Sequence, residues 1–176
     1  SAPEGGDGGC IETSAAKVHV KDGAIVTTDA PSGRTGTWLI DPTNYKVAAT
    51  GGDITGPQLS TNLGSNNILI RTPAPGADSG DIFIDDAVSW SANTIFTLEA
   101  HRNIYINKDI TATGNTAGMV ITPNFDGDGS GGSYSLDKAK ITLSGSNPSL
   151  FIAGNAYTVI NDVNALQNMN SGLLGR

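Results

Sequence analysis

Short hydrophobic runs separated by turn-forming residues dominate the chain, and they are densest in residues 67–107. Each run holds three apolar or β-branched residues bounded by Gly, Asn, Asp, Ser or Pro, which is typical of short strands joined by turns. The runs that begin at Ile68, Ile82 and Phe96 follow one another at steps of fourteen positions, and a fourth begins at Ile104. This irregular repeat predicts stacked coils of one solenoid, because a single coil cannot bury its apolar face alone.

Similar runs predict strands on both sides of this region, at residues 17–20, 24–27, 38–40, 45–47, 119–121, 141–143, 150–152 and 157–160. Residues 51–64 instead have the apolar spacing of one or two helical turns. Thr55 is placed as the N-cap of this short helix, Pro57 lies in its first turn and Gly64 ends it. We expect the helix to pack on the side or end of the strand stack.

The chain reads as one segment over residues 1–176, with a flexible Gly-rich entry at 1–9 and a short helix and tail at 161–176. Asn161 would cap that helix, which places Val163, Leu166 and Met169 on one face. An open solenoid edge invites pairing with other strands. We therefore expect either that this helix covers the edge or that the natural chain continues.

Composition mainly excludes classes of protein to which the chain could belong. The 23 glycines and a charged fraction of 15% favour an all-β protein. A net charge of −7, without a cluster of Lys and Arg, excludes nucleic acid as a partner. The apolar runs fall short of the roughly 20 residues that span a bilayer, so we expect no membrane insertion. The first residues do not form a signal peptide, and the targeting signal is expected elsewhere.

The single cysteine, Cys10, excludes a disulfide framework. Free cysteines are usually buried, and we expect Cys10 to point into the apolar interior. Trp38 and Trp90 are predicted to be core or coil-capping residues. Trp90 stands between two serines, a position that also suits an outward-facing contact residue.

Several motifs resemble those of filamentous-haemagglutinin-like exoproteins. A Gly-rich run with an Ile-Glu-Thr-Ser ending occupies residues 5–15, and Gly-Thr-Trp-Leu-Ile-Asp-Pro follows at residues 36–42. Residues 80–84 and 157–167 are similar to the later part of the same group, so the resemblance extends over residues 5–174. The chain does not look like the N-terminal secretion domain of that family, which makes it an internal or distal fragment.

The resemblance implies a right-handed parallel β-helix over residues 1–176, with short helical turns on its side or end. It also implies export by two-partner secretion and a place outside the cell or on the bacterial surface. Members of the family act as adhesins in attachment and biofilm formation. The expected partner is a surface ligand on host cells, matrix or polysaccharide, together with possible self-association through the solenoid ends.

One loop has the pattern of a metal site. Asp126, Asp128, Ser130 and Asp137 supply oxygen atoms at positions one, three, five and twelve of a Gly-containing loop, as Ca²⁺ sites of the EF-hand type do. The last residue is Asp rather than Glu, and no helices flank the loop. An exposed Gly/Asp turn explains the same residues without metal, and no other cofactor is expected.

Catalysis is not expected. Asp81, Asp85 and Asp86 invite comparison with polysaccharide-cleaving β-helices. Asp81 precedes a predicted strand, and Asp85 and Asp86 follow it, at turn positions where Asp is common. No matching Arg or Lys is apparent nearby. His19 and His101 lack cysteines at ligand spacing, which argues against zinc, and His101 reads as a coil corner. A structural and adhesive segment is therefore the main hypothesis; a self-assembling filament subunit and a carbohydrate-active enzyme are the alternatives.

Overall fold

The computed structural model describes residues 5–73, 79–128 and 131–173, with side chains described up to residue 169. Within these residues the chain is mostly β, as the sequence predicts, with two short helices. The helices are α1 (Gly56–Leu63) and α2 (Val163–Leu173). The strands are β1 (Cys10–Ser14), β2 (Thr37–Asp41), β3 (Tyr45–Val47), β4 (Asn67–Thr72), β5 (Ile82–Ile84), β6 (Val88–Trp90), β7 (Ile95–Ala100), β8 (Ile104–Ile106), β9 (Ile110–Ala112), β10 (Gly118–Pro123), β11 (Tyr134–Leu136), β12 (Ile141–Leu143), β13 (Ser149–Ile152) and β14 (Asn155–Tyr157).

The strands form three sheets, which the chain visits in rotation from β4 to β13. Sheet A has the order β1-β2-β4-β7-β10-β13-β14, sheet B the order β11-β8-β5-β3, and sheet C the order β12-β9-β6. All pairings are parallel except β13 with β14. Helix α1 follows β3 and lies beside β6, where Ser89 N–H donates to Ser60 Oγ at 2.9 Å. It takes the place of a third strand in that passage of the chain.

Inward side chains of neighbouring strands stack in register. In sheet A one inward column consists of Ile11, Trp38, Ile68, Phe96, Met119 and Leu150. Its members from Trp38 to Met119 are at most 2% exposed. Buried residues of all three sheets, such as Ile68, Ile82 and Val88, belong to the same hydrophobic core. The three sheets therefore share one interior.

The central strand predictions are confirmed, and so are those at residues 38–40, 45–47, 119–121, 141–143 and 150–152. The fourteen-residue step has a simple origin. Ile68 lies in sheet A, Ile82 in sheet B, and Phe96 pairs with Ile68 back in sheet A. Two steps thus make one return to the same sheet. The helix at 51–64 is confirmed with its details, because Thr55 Oγ1 accepts from Gln58 N–H and Gly64 follows the last residue.

The predicted strands at residues 17–20 and 24–27 are wrong. This segment buries Val18 and Val20 but forms no ladder. Its backbone is bonded instead by amide side chains of the α1 region. Asn62 Oδ1 accepts from Val26 N–H at 2.9 Å, and Asn66 Oδ1 accepts from Thr28 N–H at 2.7 Å. Buried backbone groups need partners, and here side chains supply them in place of a neighbouring strand.

The expectation that Cys10 is buried is also wrong, since Cys10 is exposed. Cys10 pairs with Thr37, whereas its neighbour Ile11 pairs with the buried Trp38. Side chains alternate between the two faces of a strand. The register of β1 therefore places Ile11 on the same face as Trp38, where it is still 38% exposed, and Cys10 on the opposite face.

The last two elements differ from the rest of the stack. β13 and β14 form an antiparallel hairpin whose turn residues Ala153 and Gly154 have φ of 48° and 78°. Positive φ at both central residues is the geometry of a type I′ turn. The predicted strand at 157–160 is thus shifted to Asn155–Tyr157. The helix predicted after Asn161 is present as α2, but its cap is Asp162 rather than Asn161, because Asp162 Oδ1 accepts from Ala165 N–H at 2.7 Å.

Within the described residues, neither helix is long and apolar enough to cross a membrane.

Candidate functional site

The densest group of chemically active side chains lies at the corner between β7 and β8. His101 follows β7 directly, and its side chain is 3% exposed. Its Nδ1 lies 2.6 Å from Oδ2 of Asp126, and its Nε2 lies 3.5 Å from Oδ2 of Asp128. One ligand atom from each of the three residues lies within 4.8 Å of the others. We call His101, Asp126 and Asp128 the corner cluster.

Strand register brings these residues together across 25 positions of sequence. Ala100 at the end of β7 pairs with Pro123 at the end of β10. The loop after β10 therefore starts beside the corner after β7. It is fastened there by two backbone bonds, from Phe125 N–H to Ala100 O at 3.1 Å and from Asn124 N–H to Arg102 O at 3.3 Å. The two aspartates then fall on either side of the imidazole.

Two of the four residues predicted to bind Ca²⁺ thus lie in one cluster. Asp137 is elsewhere: it follows β11, where its N–H donates to Ile106 O at 3.2 Å. The length of β11 separates it from the loop that carries Asp126 and Asp128. Ser130 lies outside the described residues. His101 was predicted to lie at a corner, which is confirmed, but it was not predicted to belong to a metal site.

A second polar group surrounds Asp81, which is 5% exposed. Its carboxylate accepts from Arg102 Nε at 3.0 Å, from Arg102 Nη2 at 2.5 Å and from Asn103 N–H at 3.0 Å. Hydrogen bonding to Asp81 raises the pKa of the Arg102 guanidinium, against the opposing effect of burial. The bidentate geometry is the strongest that an arginine and a carboxylate can form. It fastens the corner before β5 to the corner before β8.

Asp85 and Asp86 also have structural partners. Asp85 contacts Lys46 Nζ at 3.0 Å and accepts from Asn107 Nδ2 at 2.6 Å. Burial raises the pKa of Asp85, but hydrogen bonds from Asn107 and Lys46 and the charge of Lys46 outweigh it, so that the pKa is lowered overall. Asp86 accepts from Gly56 N–H at the first turn of α1, at 2.8 Å. The statement that no Arg or Lys accompanies these acids is therefore wrong, because Arg102 and Lys46 reach them from other strands and corners of the chain.

The aromatic residues divide between core and surface. Trp38 and Trp90 are 2% and 4% exposed, which confirms both as core residues and rules out an outward Trp90. The ring of Trp90 meets Phe96 edge to face, with centroids 6.2 Å apart. On the outer face of sheet B, Phe83 and Tyr105 are paired in register and stacked at 5.0 Å.

The C-terminal end of the stack leaves apolar ladder positions uncovered. Tyr134 and Leu136 pair with Ile104 and Ile106, which are fully buried, yet they are 40% and 38% exposed themselves. On α2, Val163, Leu166 and Met169 are 68%, 53% and 54% exposed. These three residues do not close the end of the ladder, contrary to one of the two expectations for this helix.

No model of a known protein family matches the chain, and neither characterised proteins nor solved structures give a significant match. Function must therefore be argued from the geometry.

Proposed function

We propose that the chain is a rigid, non-catalytic segment of a secreted bacterial surface adhesin, folded as a right-handed parallel β-helix. The observation that carries this proposal is the in-register apolar column of sheet A, together with the single core that all three sheets share. A chain that returns to sheet A after each visit to sheets B and C advances by one strand spacing per circuit, about 4.8 Å. Parallel crossover connections are right-handed in about 98% of cases, which favours that hand.

Such a stack suits a mechanical role. The backbone bonds of the parallel sheets link each circuit to the next, and the core runs along the axis without interruption from Trp38 to Met119. Loops between strands can vary without disturbing the core. Binding residues usually lie on such loops. The resemblance of residues 5–15 and 36–42 to filamentous-haemagglutinin-like exoproteins assigns this architecture to attachment at a host, matrix or polysaccharide surface.

The carboxylates support the non-catalytic proposal. A glycosidase needs an acid and a base or nucleophile that face a common substrate. The carboxylate of Asp81 binds Arg102 and the N–H of Asn103. The carboxylate of Asp85 binds Lys46 and Asn107, and that of Asp86 accepts from the first N–H of α1. Each therefore has a structural use.

The proposal is tested with beads coated with the purified chain and applied to epithelial cells, extracellular-matrix proteins and bacterial polysaccharides. The control is the Ile70→Asp variant, which buries a charge at a fully buried ladder position and should unfold the stack. We expect the native chain to hold beads to at least one surface and the control to hold none. Equal retention of both coatings on every surface would contradict an adhesive role, and new reducing ends in the polysaccharide samples would favour the enzyme.

Self-association through the C-terminal end is a second candidate function. It is favoured by the uncovered ladder residues Tyr134 and Leu136, whose register partners lie in the core. An open ladder of this kind is a template for another strand. Light scattering coupled to size exclusion should then show particles that grow with protein concentration.

The two faces of β11 provide a matched pair of variants for this test. Leu136→Lys places a charge on the uncovered ladder, and Ser135→Lys places the same charge beside it on the alternate face. Growth should be abolished by the first substitution and kept by the second. A native chain that stays monomeric at all concentrations would remove the filament candidate and leave the stalk proposal standing.

A further inference from the structure

The corner cluster combines one imidazole with two carboxylates, and one ligand atom from each residue lies within 4.8 Å of the others. His101 is nearly buried, whereas the side chains of Asp126 and Asp128 are 23% and 41% exposed. The cluster is thus open to solvent on the side of the loop and closed on the side of the core. An ion can reach it without unfolding of the stack.

The cation beside this loop, Arg71, already has a partner of its own. The two carboxylates bring negative charges close together, and like charges at short range repel. Arg71 lies over the ring of Phe125 in the same loop, at 5.3 Å. Its guanidinium is already bound to Glu99, with Nη2 2.6 Å from Oε2. A bound cation would relieve this repulsion.

We propose that His101, Asp126 and Asp128 form a binding site for a divalent transition-metal ion of the Zn²⁺ or Mn²⁺ type. Imidazole nitrogen is a good ligand for such ions, and carboxylate oxygens complete a mixed N/O set. Ca²⁺ prefers six or more oxygen ligands, so a buried histidine in the set shifts the preference away from it. Asp137, which the Ca²⁺ interpretation requires, is not a member of this group.

An ion bound to one ring nitrogen requires one carboxylate to move, because Asp126 and Asp128 contact different nitrogens of His101. Bonds of about 2.0–2.2 Å to Zn²⁺ hold neighbouring ligand atoms roughly 3–3.5 Å apart. The three donor atoms already lie within 4.8 Å of one another. The ion replaces the hydrogen bond between His101 and Asp126 with a direct bond from one ring nitrogen, and the more exposed Asp128 moves inward. Water completes the coordination on the solvent side.

Metal binding at this place would fasten the loop after β10 to the corner after β7. These two segments belong to successive returns of the chain to sheet A. The ion would therefore link adjacent layers and raise the stability of the folded chain, because a ligand that binds only the folded state stabilises it by mass action. This inference does not depend on the adhesive function.

The test is calorimetric titration of the full chain with ZnCl₂, MnCl₂ and CaCl₂ separately, with thermal unfolding as a second readout. We expect one site for Zn²⁺ or Mn²⁺, with a higher Tm in its presence and weaker or absent Ca²⁺ binding. Asp128→Asn and His101→Gln should each weaken binding at least tenfold. Asp137→Asn, which alters an exposed aspartate after β11, serves as the matched control and should bind as the native chain does.

Because His101 is buried, the binding data for His101→Gln are interpreted only if circular dichroism shows that the variant has the native fold. The exposed Asp128→Asn variant tests the site in either case. Absence of Zn²⁺ and Mn²⁺ binding overturns the proposal, and so does equal binding by the native chain and Asp128→Asn. Ca²⁺ binding that is lost in Asp137→Asn would replace it with the EF-hand-like site.

Discussion

At the scale of single residues, Tyr45 is an exception in a well-satisfied interior. Its side chain is fully buried in β3, and its hydroxyl has no hydrogen-bond partner among the described residues. Burial raises the pKa of this hydroxyl, and the charge of Asp53 adds to the effect. A buried polar group without a partner costs about 1–3 kcal/mol.

Tyr45→Phe is therefore expected to raise the free energy of unfolding, by about 1 kcal/mol. Tyr105→Phe makes the same change on the outer face of sheet B and should be nearly neutral. Urea unfolding at pH 7 compares the two variants with the native chain. A loss of stability in Tyr45→Phe would show that its hydroxyl has a partner after all.

Asp85 gives stability a defined pH dependence. Its pKa is lower in the folded chain than in the unfolded chain, since Asn107 and Lys46 stabilise the carboxylate. The resulting stabilisation is present above the unfolded pKa, near 3.9. It is lost as the pH falls through the folded value.

The Asp85→Asn variant should lack this pH-dependent contribution to the free energy of unfolding. At pH 7 the variant should be less stable by up to about 1 kcal/mol, the usual worth of a surface ion pair. The difference from the native chain should shrink as the pH falls below 4. Unfolding curves between pH 7 and pH 3 measure it, and a difference that does not depend on pH would contradict this assignment.

Residue-level predictions from the sequence succeeded where periodicity decides the outcome and failed where register decides it. Trp38 lies in a clear apolar run and is buried as expected. Cys10 has an apolar neighbour on one side only, and the pairing with β2 turned it outward. His101 gave no local signal at all, because its carboxylate partners come from a loop one return of the chain later.

At the scale of elements, α1 acts as a substitute for a strand. Amide side chains of α1, together with Asn66 just after it, bind the backbone of residues 23–28, which no strand covers. Asn62 is the centre of this contact. It accepts from Val26 N–H at 2.9 Å and donates to Ala24 O at 3.3 Å and to Gln58 O at 3.0 Å.

Asn62→Ala should lower the free energy of unfolding by about 2 kcal/mol, because it leaves the partly buried Val26 N–H without its partner. Thr61→Ala is the matched control, since Thr61 lies beside Asn62 on the exposed face of α1. Chemical denaturation of both variants provides the comparison. Equal stabilities would mean that residues 23–28 do not depend on α1.

The sequence identified this helix with its cap and its stop but not its role. Thr55, Pro57 and Gly64 are local signals, whereas the partners of Asn62 and Asn66 lie more than thirty positions away. The apolar residues at 24–27 therefore predicted a strand that the structure replaces with side-chain contacts, and Val20 N–H in the run at 17–20 donates to Asp53 O at 2.7 Å. Alternation of apolar residues reports burial and does not by itself report a ladder.

At the scale of the whole molecule, the proposed fold depends on the stacking of successive strands in each sheet. The sequence predicted a solenoid from evenly spaced runs, and it could not tell how many runs complete one return. Pairing of Ile68 with Phe96 shows that two fourteen-residue steps do so. The strands β6 and β9 have only short apolar signals, Val88 to Trp90 and Ile110 to Ala112, and were not predicted.

The most direct test of this stacking is a distance between the first and the sixth strand of sheet A. Cys10 is exposed on β1, and Phe151 is 41% exposed on β13. Five strand pairings separate them. At about 4.8 Å for each pairing, the backbones lie roughly 24 Å apart.

Spin labels on Cys10 and on a cysteine introduced by Phe151→Cys allow this distance to be measured by pulsed electron paramagnetic resonance. The native chain, labelled at Cys10 alone, reports any distance between molecules. A continuous stack predicts one narrow distance distribution, centred near the backbone separation of roughly 24 Å after allowance for the label arms. A broad distribution, or a centre far beyond that value, would contradict a continuous stack.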